Sequence, residues 1–173
     1  PVEGGVFIHP PIPLLAMGES VDERERIQFF QRRLDEHGFL SFLDMEVTDI
    51  GTETVTVTIP YHPKVTNAAS NGGNVHGGIA STLVDTAGGL CVFSTLEDPR
   101  SADVATIDLN ISYLRPARGD LVGTASVVRV GGTVGVVRVE VESETADGTV
   151  DLVAVGRASY RIFRPESRSA EGA

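Results

Sequence analysis

The spacing of apolar and polar positions changes character three times along the chain. Ile27, Phe30 and Leu34 recur at helical intervals among polar neighbours, which predicts an amphipathic helix. Its start is marked by a capping box, Ser20 followed three residues later by Glu23, with Asp22 and Glu23 in the positive first turn; Gly38 after His37 supplies a stop. Arg32 and Arg33 read as its solvated face. The twenty residues before it form a proline-rich, weakly patterned arm.

From residue 43 the period falls to two. Val55, Val57, Ile59 and Tyr61 alternate with Thr54, Thr56 and Thr58, as a half-buried strand requires. A loop rich in Pro, Asn and Gly leads to a long apolar helix from about Gly77 to Ser94. Gly88 and Gly89 lower its helix propensity, which a closely packed neighbouring backbone would justify. Beyond a polar loop, Ile107, Leu109, Ile111 and Tyr113 alternate with Thr106, Asp108, Asn110 and Ser112, and Pro116 ends that strand. Strands near residues 121–130, 134–142 and 152–163 follow, joined by turns at Gly131-Gly132 and Asp147-Gly148. Two strands, one long helix and then three or four strands predict an α+β fold, an antiparallel sheet with one helix against it. The expected organisation is an arm and amphipathic helix over residues 1–40, the main domain over 41–164 and a polar tail over 165–173.

Composition narrows the class without naming a chemistry. A chain of 173 residues, 41% hydrophobic and 22% charged, suits a single folded domain. Its one cysteine, Cys91, forms no internal disulfide, which leads us to expect a cytoplasmic protein. The stretch from Phe7 to Met17 is broken by three prolines and lacks a basic flank, so it does not read as a signal peptide, and no run approaches a membrane span. A formal charge of -10 argues against nucleic acid and anionic bilayers as partners. Lys64 is the sole lysine beside 13 arginines, a bias similar to that of proteins from high-salt cytoplasms; an ordinary acidic protein is the alternative.

Candidate chemistry concentrates between residues 71 and 85. Gly77 and Gly78 open the apolar helix, where uncovered backbone N–H groups point at whatever lies beyond, a place for an anion or a polarised carbonyl oxygen. His76 stands at that mouth, either as a ligand or base or as a hydrogen-bonding brace for the loop. Asp85 is the only charged residue in the apolar helix, where a carboxylate is rarely placed without a partner or a task; a solvated helix edge is the alternative. Gly77 and Asp85 are eight residues apart, about 12 Å along a helix axis, too far to serve one small reacting group. One site containing both needs the Asp of one subunit to meet the Gly77 amide of another across a two-fold axis. The four histidines show no metal-ligand spacing, there is no dinucleotide or phosphate-loop fingerprint, and Cys91 reads as an inert core residue. No metal or cofactor is expected.

Three linked segments carry a family resemblance over about residues 43–163: Val75-His76-Gly77-Gly78, then Leu83-Val84-Asp85, then the run from Thr106 to Pro116. The chain resembles the PaaI-like (phenylacetyl-CoA thioesterase type) hotdog-fold acyl-CoA thioesterases, a family that includes human thioesterase superfamily member 2. The resemblance implies a hotdog fold, with the sheet wrapped around the long helix, and a homodimer whose sheets join, or a homotetramer of two such dimers. It implies hydrolysis of an acyl-CoA thioester, with the Gly77 amide polarising the carbonyl and Asp85 of the partner subunit as general base or nucleophile. Thr106 would help to orient the attacking water, and His76 would be mostly structural. The family's Asn, six residues before the His, falls here on Ser70, with Asn71 one place off. Gly78, Arg115 and Arg118 are the candidate substrate contacts, the two arginines flanking a turn near the expected pocket mouth; a solvated turn with two ordinary surface arginines is the alternative. A non-catalytic acyl-CoA or acyl-carrier binding protein of the same fold is the alternative function, and a dehydratase-like use of His76 and Asp85 a third.

Overall fold

The computed structural model describes residues 23–67, 73–99 and 101–164. Ser20, Asp22, Asn71, the arm and the tail therefore lie outside the described residues. Helix α1 (Glu23–Asp35) and the short α2 (Gly38–Phe42) precede strands β1 (Glu46–Ile50) and β2 (Thr54–Ile59). The long helix α3 (Gly77–Ser94) follows, then strands β3 (Asp103–Tyr113), β4 (Leu121–Val130), β5 (Val134–Glu144) and β6 (Val150–Phe163). All pairings are antiparallel, in the order β1-β2-β4-β5-β6-β3. The sheet packs its inner face on α3, the hotdog arrangement.

A helix this rich in apolar residues must bury much of its surface. Leu83, Val84, Ala87, Cys91 and Val92 are fully buried against Val55, Val57, Val137, Val139 and Ala158 of the sheet. What lets α3 settle so deep is missing side chain. A Cβ on Gly156 would stand 2.5 Å from Val84 Cγ1, and one on Gly123 would stand 2.8 Å from Leu83 Cγ. Gly88 and Gly89 do the converse from the helix side. Their close neighbour is the Tyr160 ring, together with Val137 at Gly88, so a side chain of the sheet, rather than a neighbouring backbone, occupies the space they leave.

Helix α1 keeps its expected stripe, with Phe30 and Leu34 buried. Gly38, expected to stop that helix, instead opens α2, because the His37 side chain accepts a hydrogen bond from the Leu40 N–H and caps a new helical start. Arg33 is not merely solvated: its guanidinium lies 4.5 Å from the centroid of the Phe93 ring at the end of α3.

The two edges of the sheet are treated differently. At β1 the Gln31 amide of α1 imitates a neighbouring strand, donating to the Met45 carbonyl at 2.9 Å and accepting from the Val47 N–H at 2.8 Å. At the opposite edge, among the described residues, β3 has no neighbouring strand on its outer side over its 11 residues. Ile107 and Tyr113 on it are 58% and 54% exposed, an apolar edge of the kind that proteins normally cover.

If the depth of α3 depends on the inner glycines, Gly156→Ala should lower unfolding stability by about 1–3 kcal/mol through overpacking against Val84. Urea unfolding followed by circular dichroism checks this, and an unchanged midpoint would count against the tight approach.

Candidate functional site

Thr106 reaches its place through an irregularity that strict alternation conceals. Alternation groups Thr106 with Asp108 and Asn110, away from the helix. The pairing of β3 with β6 instead slips between Thr106 and Asp108, so Thr106 lies opposite Tyr160 while Leu109 lies opposite Ala158. Tyr160 and Ala158 both point into the core, and the extra residue, Ile107, is pushed outward. A β-bulge thus re-aims Thr106 towards α3. There its hydroxyl donates to Asp85 Oδ1 at 2.7 Å. The half-buried Asp85 is consequently partnered within its own chain.

The N-terminus of α3 holds the second group. His76 is the N-cap, its Nδ1 accepting from the Gly78 N–H at 2.9 Å. That bond braces the helix start and occupies the Gly78 amide, while among the described residues the Gly77 N–H meets no acceptor. Tyr113 closes over the same turn: its hydroxyl donates to the Gly77 carbonyl at 2.9 Å and lies 2.6 Å from Ser81 Oγ. A cavity of about 390 Å³ opens beside Gly77, with Ala80, Tyr113, Arg115, Ala117 and Leu121 among its walls.

The structure therefore brings Asp85 and Thr106 together, and brings Gly77, Gly78 and His76 together, at separate levels of one helix. Arg115 lies at the cavity, with Nε 3.1 Å from Asp151 Oδ2 and Nη1 donating to the Leu152 carbonyl at 3.0 Å. Arg118 donates from Nε to Asn74 Oδ1 at 2.9 Å, fixing the loop that enters α3. Two residues passed over by the sequence reading belong to this neighbourhood, Tyr113 and Tyr160. Tyr160 was detectable only as one bulky residue after the small inward series Ala154, Gly156 and Ala158.

Among the described residues no group of three or more His, Cys, Asp and Glu could hold a metal ion, and no helix is long and apolar enough to cross a membrane.

Comparison with known proteins places the chain in a family. The model of the thioesterase superfamily matches residues 72–149, the stretch that carries α3, β3, β4 and β5. A candidate esterase of Halobacterium salinarum is 54% identical over 147 residues, covering 84% of this chain and 97% of that protein. The medium/long-chain acyl-CoA thioesterase YigI of Escherichia coli is 43% identical over 82 residues, 40% of this chain and 53% of its own length. Among solved structures, a thioesterase family protein from Silicibacter pomeroyi superposes with a TM-score of 0.72 at 23% identity, covering 81% of this chain and 99% of that one. At that identity the likeness concerns the fold.

Cys91, by contrast, is built for packing. It is fully buried, its thiol donates to the Glu53 carbonyl at 3.4 Å, and burial, with a smaller contribution from the Glu53 carboxylate, pushes its pKa up to about 12. At pH 8 a disulfide reagent should therefore titrate no thiol in the native protein and one per chain in denaturant. Rapid reaction of the native protein would show that the thiol is accessible.

Proposed function

The chain belongs to the thioesterase superfamily, and from that premise we propose that it hydrolyses an acyl-CoA thioester to a carboxylic acid and coenzyme A. The observation that carries this reading is the 2.7 Å hydrogen bond from Thr106 to Asp85, the only carboxylate on a helix otherwise made of apolar and small residues. The 43% identity to a medium/long-chain acyl-CoA thioesterase supports the substrate class.

In the proposed reaction, Thr106 occupies Oδ1 of Asp85 and leaves Oδ2 to accept a proton from water. The hydroxide formed attacks the thioester carbonyl carbon. Its oxygen becomes negative and is stabilised by the uncommitted Gly77 N–H at the positive end of α3. Collapse breaks the C–S bond; the proton held by Asp85 passes to the leaving sulfur, so one water is divided between acid and thiol. Direct attack by Asp85 on the carbonyl, with water releasing the acid from the resulting anhydride, is the second route open to the same carboxylate.

The site is shared between subunits in this proposal. The eight-residue separation of Gly77 and Asp85 corresponds to about 12 Å along α3, so one protomer does not bring both to a single thioester. Pairing of the bare β3 edges across a two-fold axis would cover Ile107 and bring each Asp85 towards the partner's helix start. A dimer is the minimum assembly, and a tetramer of two dimers keeps the same sites. Arg115 is the cation among the residues lining the cavity at Gly77, and we assign it to a coenzyme A phosphate in exchange for part of its contact with Asp151; Arg118 supports the same wall through Asn74.

Free-thiol release from a panel of aryl and fatty acyl-CoAs tests the activity. Asp85→Asn should lower turnover about a hundredfold or more while the protein keeps its melting temperature; equal turnover by mutant and parent would remove Asp85 from the chemistry.

Sharing has its own signature. Asp85→Asn and Gly77→Pro chains, each inactive alone, should regain activity when mixed, because one of the two sites then pairs an intact Gly77 with an intact Asp85. Activity recorded against mixing ratio decides it, and silence from folded, demonstrably mixed dimers would refute a shared site.

A further inference from the structure

Asp85 is held at a second point, on its backbone. In an α-helix the carbonyl of residue 85 accepts from the N–H of residue 89. Here the Tyr160 hydroxyl comes up from β6 and donates to that same Asp85 carbonyl at 2.8 Å. Gly88 and Gly89 make the room. A Cβ on Gly88 would collide with the Tyr160 hydroxyl, and one on Gly89 would stand 3.5 Å from the ring. Two adjacent glycines within a helix cost about 1 kcal/mol each relative to alanine, so the helix gives up stability where this phenol enters.

The position of Tyr160 in the sheet makes the contact more than a satisfied core hydroxyl. Tyr160 and Thr106 are direct cross-strand partners on β6 and β3, at the bulge that turns Thr106 inward. One member of the pair hydrogen-bonds the Asp85 carboxylate and the other its main-chain carbonyl. Tyr160 is 1% exposed, and burial, reinforced by the negative charge of Asp85, drives its pKa well above the ordinary tyrosine value, so it stays a neutral donor.

We infer that Tyr160 is a positioning residue for the reaction, and that with Thr106 it forms a two-point clamp fixing where the Asp85 carboxylate sits relative to the thioester. The inference rests on the proposed role of Asp85. It assigns Tyr160 no contact with substrate: its hydroxyl holds the helical turn from which Asp85 projects, so its loss frees that turn to shift and turns the carboxylate away from the water.

Tyr160→Phe keeps the ring in its glycine seat and removes only the hydroxyl. Measured with an acyl-CoA that the parent hydrolyses, it should lower kcat about tenfold and change KM by less than about twofold. Combined with Thr106→Val, it should lower kcat by much less than the product of the two single effects, because both act on one carboxylate. Gly88→Ala, whose methyl group would displace the hydroxyl while leaving the phenol present, should give the same kcat-against-KM split and keeps the test open if Tyr160→Phe folds poorly. Unchanged kcat in a folded Tyr160→Phe protein, or strictly multiplicative effects with Thr106→Val, would overturn the clamp. Asp85→Asn run alongside separates the two readings: an inactive Asp85→Asn beside a fully active Tyr160→Phe defeats the clamp alone, whereas an active Asp85→Asn defeats the role of Asp85 and the clamp with it.

Discussion

Everything in this fold depends on one close approach, the seating of α3 on the inner face of the sheet at distances that leave no space for a methyl group. Gly123, Gly135 and Gly156 stand beneath Leu83, Val92 and Val84 on three consecutive strands of the sheet. Because an 18-residue helix is clamped at several points along its length, it neither slides nor rolls without breaking van der Waals contacts that a dense core does not restore. The helix is therefore a ruler. Any group projecting from it, the Gly77 amide at one end or the Asp85 carboxylate midway, has a fixed position relative to the strands.

The strands supply the second element of precision, and they do so by departing from regularity. A flat β3 with strict alternation would turn Thr106 away from the helix and leave Asp85 without its donor. The bulge at Ile107 exchanges one apolar contact, now 58% exposed, for a hydroxyl aimed inward. That exchange loses burial that a buried isoleucine would contribute, roughly 1.5–3 kcal/mol when complete. It occurs on the sheet edge that, among the described residues, no helix covers. A strand edge, an exposed isoleucine and a carboxylate with its donor in one place are explained together if another chain completes the surface.

Much of the architecture was legible because it is written in periods. The change from 3.6 to 2 near residue 43 and the mostly apolar run of residues 79–93 fix helix and strands with few competing readings. Asp85 was visible as a lone charge in that apolar run, and the helix spacing alone showed that it and Gly77 are too far apart for one protomer. What escaped notice was local and three-dimensional. A bulge leaves no mark on a run such as Thr106-Ile107-Asp108, where both registers place an apolar residue on some buried face. Gly38 carried the usual signal of a helix end, yet the His37 side chain converted it to a helix start. The purpose of Gly88-Gly89 could be guessed as close packing, but its occupant, Tyr160, comes from 71 residues further along and belongs to no motif. Pairs that meet only through sheet register are invisible until the register is known.

The spacing of Gly77 and Asp85 gives the proposed shared site a further consequence. If two helices run oppositely across a two-fold axis, each carries the electrophilic half of one site and the basic half of the other. The same rigid ruler then sets both sites at once, and a displacement of α3 that improves one half degrades the other half of the neighbouring site equally. In the proposed reaction, fixing the helix to the sheet would be a requirement of the chemistry as well as of the core. The proposal would give a second reason, beside core packing, for the side-chain volume withheld on both surfaces of contact, from the sheet at Gly123, Gly135 and Gly156, and from the helix at Gly88 and Gly89. A looser core would fold, as cores tolerant of repacking do, but it would not hold two half-sites on separate chains to the few tenths of an ångström that general-base catalysis needs.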